Sequence, residues 1–240
     1  MHIGGDMKYL LANWKANTDL ARFSELVQMV PEGAEHVMVF APAPYLWPLA
    51  KIMPHAVRLG AQDLSVKGEG AFTGEVTAGM LAEVEVSAVL LGHSERRSVD
   101  HTDVVAEKLA KALAQRFLPV ICCGWHDVSD EEALIDILLG QIPDLGSAER
   151  VLIAYEPVFA IGSGQVAGLE HIDKVLKKLA QALRTRYPKL EFGMLYGGSV
   201  SASNIDEILK IPDCSGVLVG SASMQASQWG EMIKSCKIYS

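Results

Sequence analysis

The chain has 240 residues and contains no uncharged apolar run of the ~18–20 residues that a membrane-spanning helix needs. Its first residues, Met1-His2-Ile3-Gly4-Gly5-Asp6-Met7, lack a basic region followed by an apolar stretch, so they do not read as a signal peptide. Residues 1–7 read as a short tail before a start at Met7, or as an added remnant, and 8–240 as one domain. Cysteine is scarce: Cys122, Cys123, Cys214 and Cys236 are the whole set. No CxxC and no Cys/His ligand spacing occurs, so neither a metal site nor a disulfide framework is expected. The adjacent Cys122 and Cys123 lie in an apolar run and read as buried small hydrophobes, which points to a reducing, cytoplasmic setting. Positive charge is in deficit, 21 Lys and Arg against 29 Asp and Glu, for a net −8. A nucleic acid or an anionic membrane would repel such a surface, so neither is an expected partner. A small anionic substrate responds to the local field of a pocket and stays open.

What the chain has is apolar bulk and rhythm. Half its residues are hydrophobic, enough for a large core, which excludes a disordered chain. Eight short apolar runs recur, at 9–12, 37–41, 57–61, 88–92, 120–123, 151–155, 192–196 and 217–220. Continuous apolar runs of this length suit strands buried on both faces, as a parallel sheet requires. Helical spacing lies between them. Val105, Leu109, Ala112 and Leu113 share one face, and Ile172, Val175, Leu176, Leu179 and Leu183 form a longer stripe. Further helical segments fall at 20–30, 77–84, 130–141, 204–209 and 225–234, with a weaker one at 45–53 because Pro48 lies inside it. Strand and helix alternation fits an open doubly wound sheet or a closed (β/α)8 barrel. No GxGxxG follows the first strand, and eight units in this length favour the barrel.

In such a barrel the chemistry sits at the carboxyl ends of the strands. Those ends read Asn13-Trp14-Lys15, Gly92-His93-Ser94-Glu95-Arg96-Arg97, Tyr155-Glu156-Pro157, Tyr196-Gly197-Gly198-Ser199 and Gly220-Ser221. Taken singly, each is bland: a solvated lysine, a structural histidine, a loop carboxylate, tight glycine turns. Their coincidence on one rim is not bland. Small-residue turns leading into helix starts suit phosphate. A carboxylate in dry surroundings can take a proton next to a carbonyl, and an imidazole and an ammonium can stabilise the resulting oxyanion. No cofactor fingerprint is present, so none is expected. Proton transfer on a small phosphorylated ketone or aldehyde fits the set.

These residues resemble the triosephosphate isomerase family. The matching stretches are Asn13 to Asn17, Gly68 to Val76, Leu91 to Arg97, Ala154 to Gly164, Tyr196 to Val200 and Leu218 to Ser223, in family order. The resemblance implies a single-domain barrel isomerase interconverting dihydroxyacetone phosphate and D-glyceraldehyde 3-phosphate through an enediolate, in glycolysis and gluconeogenesis. By the same resemblance Glu156 is the base, His93 the neutral electrophile and Lys15 the enediolate-stabilising cation. Asn13 orients substrate, and Glu95 lies near Lys15. Phosphate is held by the backbone of Gly162, Ser199, Gly220 and Ser221. Residues 157–167 form a closing lid, with Ile161 and Leu218 packed about Glu156. The loop at 68–76 implies a homodimer in which Thr73 approaches Asn13 and Glu95 of a second copy.

The chain departs from the family pattern at five places. Ser221 replaces the second glycine of the eighth-strand turn, putting a Cβ beside the phosphate. Phe159 stands for Trp, Gln165-Val166 for Lys-Thr and Trp125 for Glu, and 126–150 is short. Ser221, Gln165 and Trp125 motivate an alternative, a catalytically impaired phosphate-ester binding protein. Another barrel enzyme acting on a larger sugar phosphate is a third reading. It is disfavoured because His93 and Glu156 both sit in isomerase contexts and the lid is short.

Overall fold

The computed structural model describes residues 8–54, 57–125, 130–142, 150–158 and 167–238. Eight parallel strands close on themselves in chain order: β1 (Tyr9–Asn13), β2 (Val37–Ala41), β3 (Arg58–Ala61), β4 (Ala88–Leu91), β5 (Leu118–Trp125), β6 (Arg150–Pro157), β7 (Glu191–Tyr196) and β8 (Gly216–Val219). The ring is completed by β1 against β8, with Leu11 opposite Leu218. The helices are α1 (Leu20–Gln28), α2 (Ala43–Ala50), α3 (Ala78–Glu83), α4 (Thr102–Ala114), α5 (Glu131–Gln141), α6 (Leu169–Arg186), α7 (Ile205–Leu209) and α8 (Ala226–Ile238). The fold is the (β/α)8 barrel that the alternation favours. Among the described residues no helix is long and apolar enough to cross a membrane.

Period-two alternation divides the core into two shells. Leu11, Met38, Phe40, Leu90, Val120, Cys122, Leu152 and Leu195 fill the barrel interior. Their sequence neighbours Leu10, Val39, Leu91, Ile121, Cys123 and Ile153 pack outward under the helices. Burying each large aliphatic side chain contributes about 2 kcal/mol, so both shells are needed to offset chain entropy. The stripe predicted on α6 is the buried face: Ile172, Val175, Leu176, Leu179 and Leu183 are all at most 2% exposed. Asp19, Thr77 and Asp130 cap α1, α3 and α5 by accepting the backbone N–H of Arg22, Met80 and Ala133. The short fifth unit therefore keeps its helix.

The sequence-based bounds shift by a few residues, for physical reasons. Strand β4 stops at Leu91 and not at Gly92, because Gly92 turns to φ +67°. Strand β5 extends to both sides of the predicted 120–123, since its pairing with β6 runs on through Gly124 opposite Glu156 and Trp125 opposite Pro157. Helix α2 runs over Ala43–Ala50 with Pro48 inside it, two residues earlier than expected at its start. Pro48 removes one N–H, which a helix of eight residues tolerates where Leu46 and Leu49 are buried.

All four cysteines are free and buried. Burial pushes Cys123 and Cys236 up to about 12, Cys214 up to about 11, and Cys122 well above its ordinary value. The folded chain keeps these thiols protonated, while the unfolded chain ionises them from about 9 upward. Their contribution to stability is therefore complete below about pH 9 and is lost as pH rises through 11–12. Urea midpoints should be flat up to that lower boundary, as far as these thiols set them, and fall above it. At pH 8 an aromatic disulfide reagent should react with no thiol until denaturant is added. Rapid reaction of any thiol in the native protein would contradict this burial.

Candidate active site

Strand β1 delivers the first two groups. Asn13, the last residue of β1, is 5% exposed. Lys15 follows with φ +47°, a left-handed backbone that a residue with a Cβ adopts only when held there. It is held at three points. Its N–H donates to Asn13 Oδ1 at 3.0 Å, its carbonyl accepts from Gln62 Nε2 at 2.9 Å, and its ammonium pairs with Glu95. The ammonium is thus fixed over the mouth of the barrel, on the side of the β4 turn.

After β4 the chain turns at Gly92 into a single 3-10 turn, Ser94–Arg96. His93 opens that turn, and its Nδ1 accepts the backbone N–H of Glu95 at 3.2 Å. A ring nitrogen that accepts carries no proton, so the proton resides on Nε2 and the imidazole is neutral. Glu95 Oε2 also lies 3.7 Å from Nδ1, but that oxygen and nitrogen would attract as ions only if Nδ1 were protonated, which the amide precludes. His93 Nε2 stands 3.0 Å from Glu156 Oε1. The ring nitrogen and the carboxylate oxygen are thus in direct polar contact.

Glu156 lies on β6, one residue before its end, and is 1% exposed. Two glycines admit it. A Cβ on Gly124 of β5 would meet the Glu156 carbonyl at 2.5 Å, and one on Gly197 after β7 would meet its Cγ at 3.2 Å. Its second oxygen, Oε2, accepts the Ser94 N–H at 2.8 Å. Both carboxylate oxygens therefore rest on groups of the β4 turn, which offsets the cost of burying the charge.

A cavity of about 790 Å³ brings the set together. Asn13, Lys15, His93, Glu95, Glu156, Ser199, Leu218, Gly220 and Ser221 all line it. Every candidate site residue within the described part is thus on one rim. Ser221 opens a second 3-10 turn, Ser221–Met224, and its backbone does not require glycine. Gly162, Ile161, Phe159, Gln165 and Val166 lie outside the described residues, as does the Trp125 side chain. Ala167, the next described residue, is buried, and its backbone N–H faces the Tyr196 hydroxyl, which burial pushes up to about 12.

Several contributors lie beyond what spacing could reveal. Gln62, the residue after β3, bridges the Lys15 and Phe40 carbonyls. Behind the His93 turn, Lys108 on α4 bonds Asp63 at 2.6 Å and Asp100 at 2.8 Å, and Arg96 reaches the same two carboxylates at 2.7 and 2.8 Å. Burial pushes the Asp63 carboxyl up. At Asp100 burial acts the same way, but Lys108 and Arg96 outweigh it and hold the carboxyl below its ordinary range. Two cations on two acids balance inside the protein and brace the turn that carries His93 and Glu95. Asn204 and Gln228 also line the cavity.

Among the described residues no group of three or more His, Cys, Asp or Glu is gathered to hold a metal. A sequence model of the triosephosphate isomerase family matches residues 8–236. The triosephosphate isomerase of Deinococcus radiodurans is 38% identical, over 91% of this chain and 95% of its own length. That of Acidiphilium cryptum is 38% identical over 93% and 96%, and that of Amoebophilus asiaticus 33% over 94% and 98%. With this match running from β1 into α8, the chain belongs to the triosephosphate isomerase family.

Proposed function

We propose that this chain interconverts dihydroxyacetone phosphate and D-glyceraldehyde 3-phosphate, with Glu156 moving the carbon-bound proton and His93 serving the oxygens. The observation that carries the reading is the 3.0 Å contact between His93 Nε2 and Glu156 Oε1 inside one cavity. Before substrate arrives the carboxylate accepts the Ser94 amide and touches the His93 ring. A carbonyl oxygen entering the cavity takes over the His93 N–H and frees the carboxylate. Glu156 then removes a proton from the carbon next to the carbonyl. The C–H electron pair becomes the carbon–carbon double bond, and the carbonyl pair moves onto oxygen. The Nε2–H of His93 and the Lys15 ammonium stabilise that oxygen. His93 transfers its proton to one oxygen and recovers one from the other, and Glu156 returns its proton to the neighbouring carbon. Asn13 orients the substrate, and Glu95 holds the Lys15 ammonium in place.

Ser199, Gly220 and Ser221, with Gly162 of the lid segment, bind the phosphate through backbone N–H groups at two short turns. Closure of 157–167 excludes water from the enediolate. The partner surface is also part of this reading. A cavity of about 580 Å³ adjoins the site, sharing Asn13, Lys15, His93 and Glu95 and running to Asp63 and Ser65. The loop at 68–76 leaves Phe72 44% exposed, a contact surface too apolar to leave in water. In a homodimer the loop of a second copy enters this cavity, bringing Thr73 to Asn13 and Glu95. A cytoplasmic setting accords with four free cysteines. No proton-transfer residue is missing, and nothing favours the impaired-binder alternative.

Glyceraldehyde 3-phosphate supplied to the protein, with the ketone product followed through a coupled dehydrogenase, gives the direct assay. Glu156→Asp withdraws the carboxylate by one methylene and should lower kcat by about 100-fold or more while KM changes little, since misplacement of about 1 Å costs that much. Full turnover in that variant would remove Glu156 from the role of base. Ser221→Gly should lower the inhibition constant of inorganic phosphate, because it removes the Cβ that narrows the approach to the turn. An unchanged constant would show that Ser221 does not crowd the phosphate.

A further inference from the structure

Asn204 stands at the entry of α7, where asparagine ordinarily turns its side chain onto the free N–H groups of its own helix. It makes no such cap. The side chain reaches backward into the turn after β7. Its Oδ1 accepts the Ser201 N–H at 2.9 Å, and its Nδ2 donates to the Ser199 carbonyl at 3.0 Å. The Asn204 N–H also donates to the Ser201 carbonyl at 3.2 Å. One planar amide thus closes both ends of the segment 199–201, and it does so beside the cavity, which Asn204 lines. The helix start goes uncapped while the turn is stapled, so this amide's bonds are spent on the turn and not on α7.

We propose that Asn204 is a positioning residue for the phosphate group of the substrate, fixing the peptide units at Ser199 in the orientation that receives the dianion. The inference rests on the reading that Ser199 contributes to phosphate binding. The chemistry of the side chain supports it. The turn presents one N–H and one carbonyl, and a carboxamide answers both. A carboxylate would satisfy Ser201 equally well but would face the Ser199 carbonyl with a second acceptor. It would also bring negative charge toward a dianion. The neutral amide therefore holds the turn without opposing the ligand. A second amide, Gln228 of α8, accepts the Ala202 N–H at a long 3.4 Å and donates to Gln225 at the end of the β8 turn, 2.7 Å away. It links the two turns that flank the phosphate position, outside the staple itself.

The test compares wild type with Asn204→Ala, Asn204→Asp and Gln228→Ala, measuring kcat, KM, the inhibition constant of inorganic phosphate and Tm. Asn204→Ala should raise KM and the phosphate constant together by about 3- to 10-fold, the worth of a net hydrogen bond or two, with kcat changed much less. Asn204→Asp should raise the phosphate constant further, although it is isosteric and keeps the bond to Ser201. Gln228→Ala should move that constant less than either. A merely structural role predicts the reverse, with Asp restoring wild-type binding and the losses following Tm. That result, or an unchanged phosphate constant in Asn204→Ala, overturns the proposal. Should Asn204→Ala not fold, Asn204→Asp alone decides between the two. Wild-type turnover inhibited by phosphate secures the reading beneath, so the two ideas fail separately.

Discussion

The site depends on one hydrogen bond, from the backbone N–H of Glu95 to Nδ1 of His93. It assigns the imidazole proton to Nε2, and with it the direction in which the ring can donate. The neighbouring amide, Ser94 N–H, takes the other oxygen of Glu156. A single turn of backbone therefore sets the ring's tautomer and anchors Glu156. That turn is held from behind by Arg96 on Asp63 and Asp100, and these acids are held by Lys108. Of these charges Lys108 and Asp100 are buried, and none of the four is paired with His93 or Glu156. Their task is to keep three residues of 3-10 backbone at one orientation.

The same logic runs through the other turns. Lys15 is kept in a left-handed conformation by three contacts from β1, β3 and the β4 turn. Glu156 is admitted by Gly124 on β5 and Gly197 just after β7. In each case backbone or small residues do the placing, and few charged side chains carry the chemistry. Preorganisation of this kind lets the dipoles around a developing oxyanion stand ready before charge appears. It also explains why the barrel must be rigid: the groups come from β1, β4, β6, β7 and β8, and only closure brings these strand ends to one rim.

Most of this architecture can be read from the residues because burial on both faces leaves a plain mark. Parallel strands produce unbroken apolar runs such as Val37–Ala41, and the α6 stripe repeats at helical spacing. Where the pattern is ambiguous, local energetics decide. Pro48 argues against a helix that packing nonetheless holds, and Gly92 looks like strand until its positive φ is known. The residues proposed to react stand out through their position after strands and through family resemblance. The parts that were not legible act through long-range contacts. Gln62, Asp63, Asp100 and Lys108 meet the site from far along the chain, and no periodicity marks them. Asn204 read as a helix start, since sequence alone cannot show that its amide turns back toward Ser199.

The most direct test concerns the ring itself. Nitrogen-15 NMR of the protein labelled at histidine, with His93 assigned through His93→Gln, reports which ring nitrogen bears the proton. At neutral pH the account predicts a single proton on Nε2 and an unprotonated Nδ1 bonded to the Glu95 amide. A proton found on Nδ1, alone or together with one on Nε2, would contradict the arrangement on which the proton transfer rests.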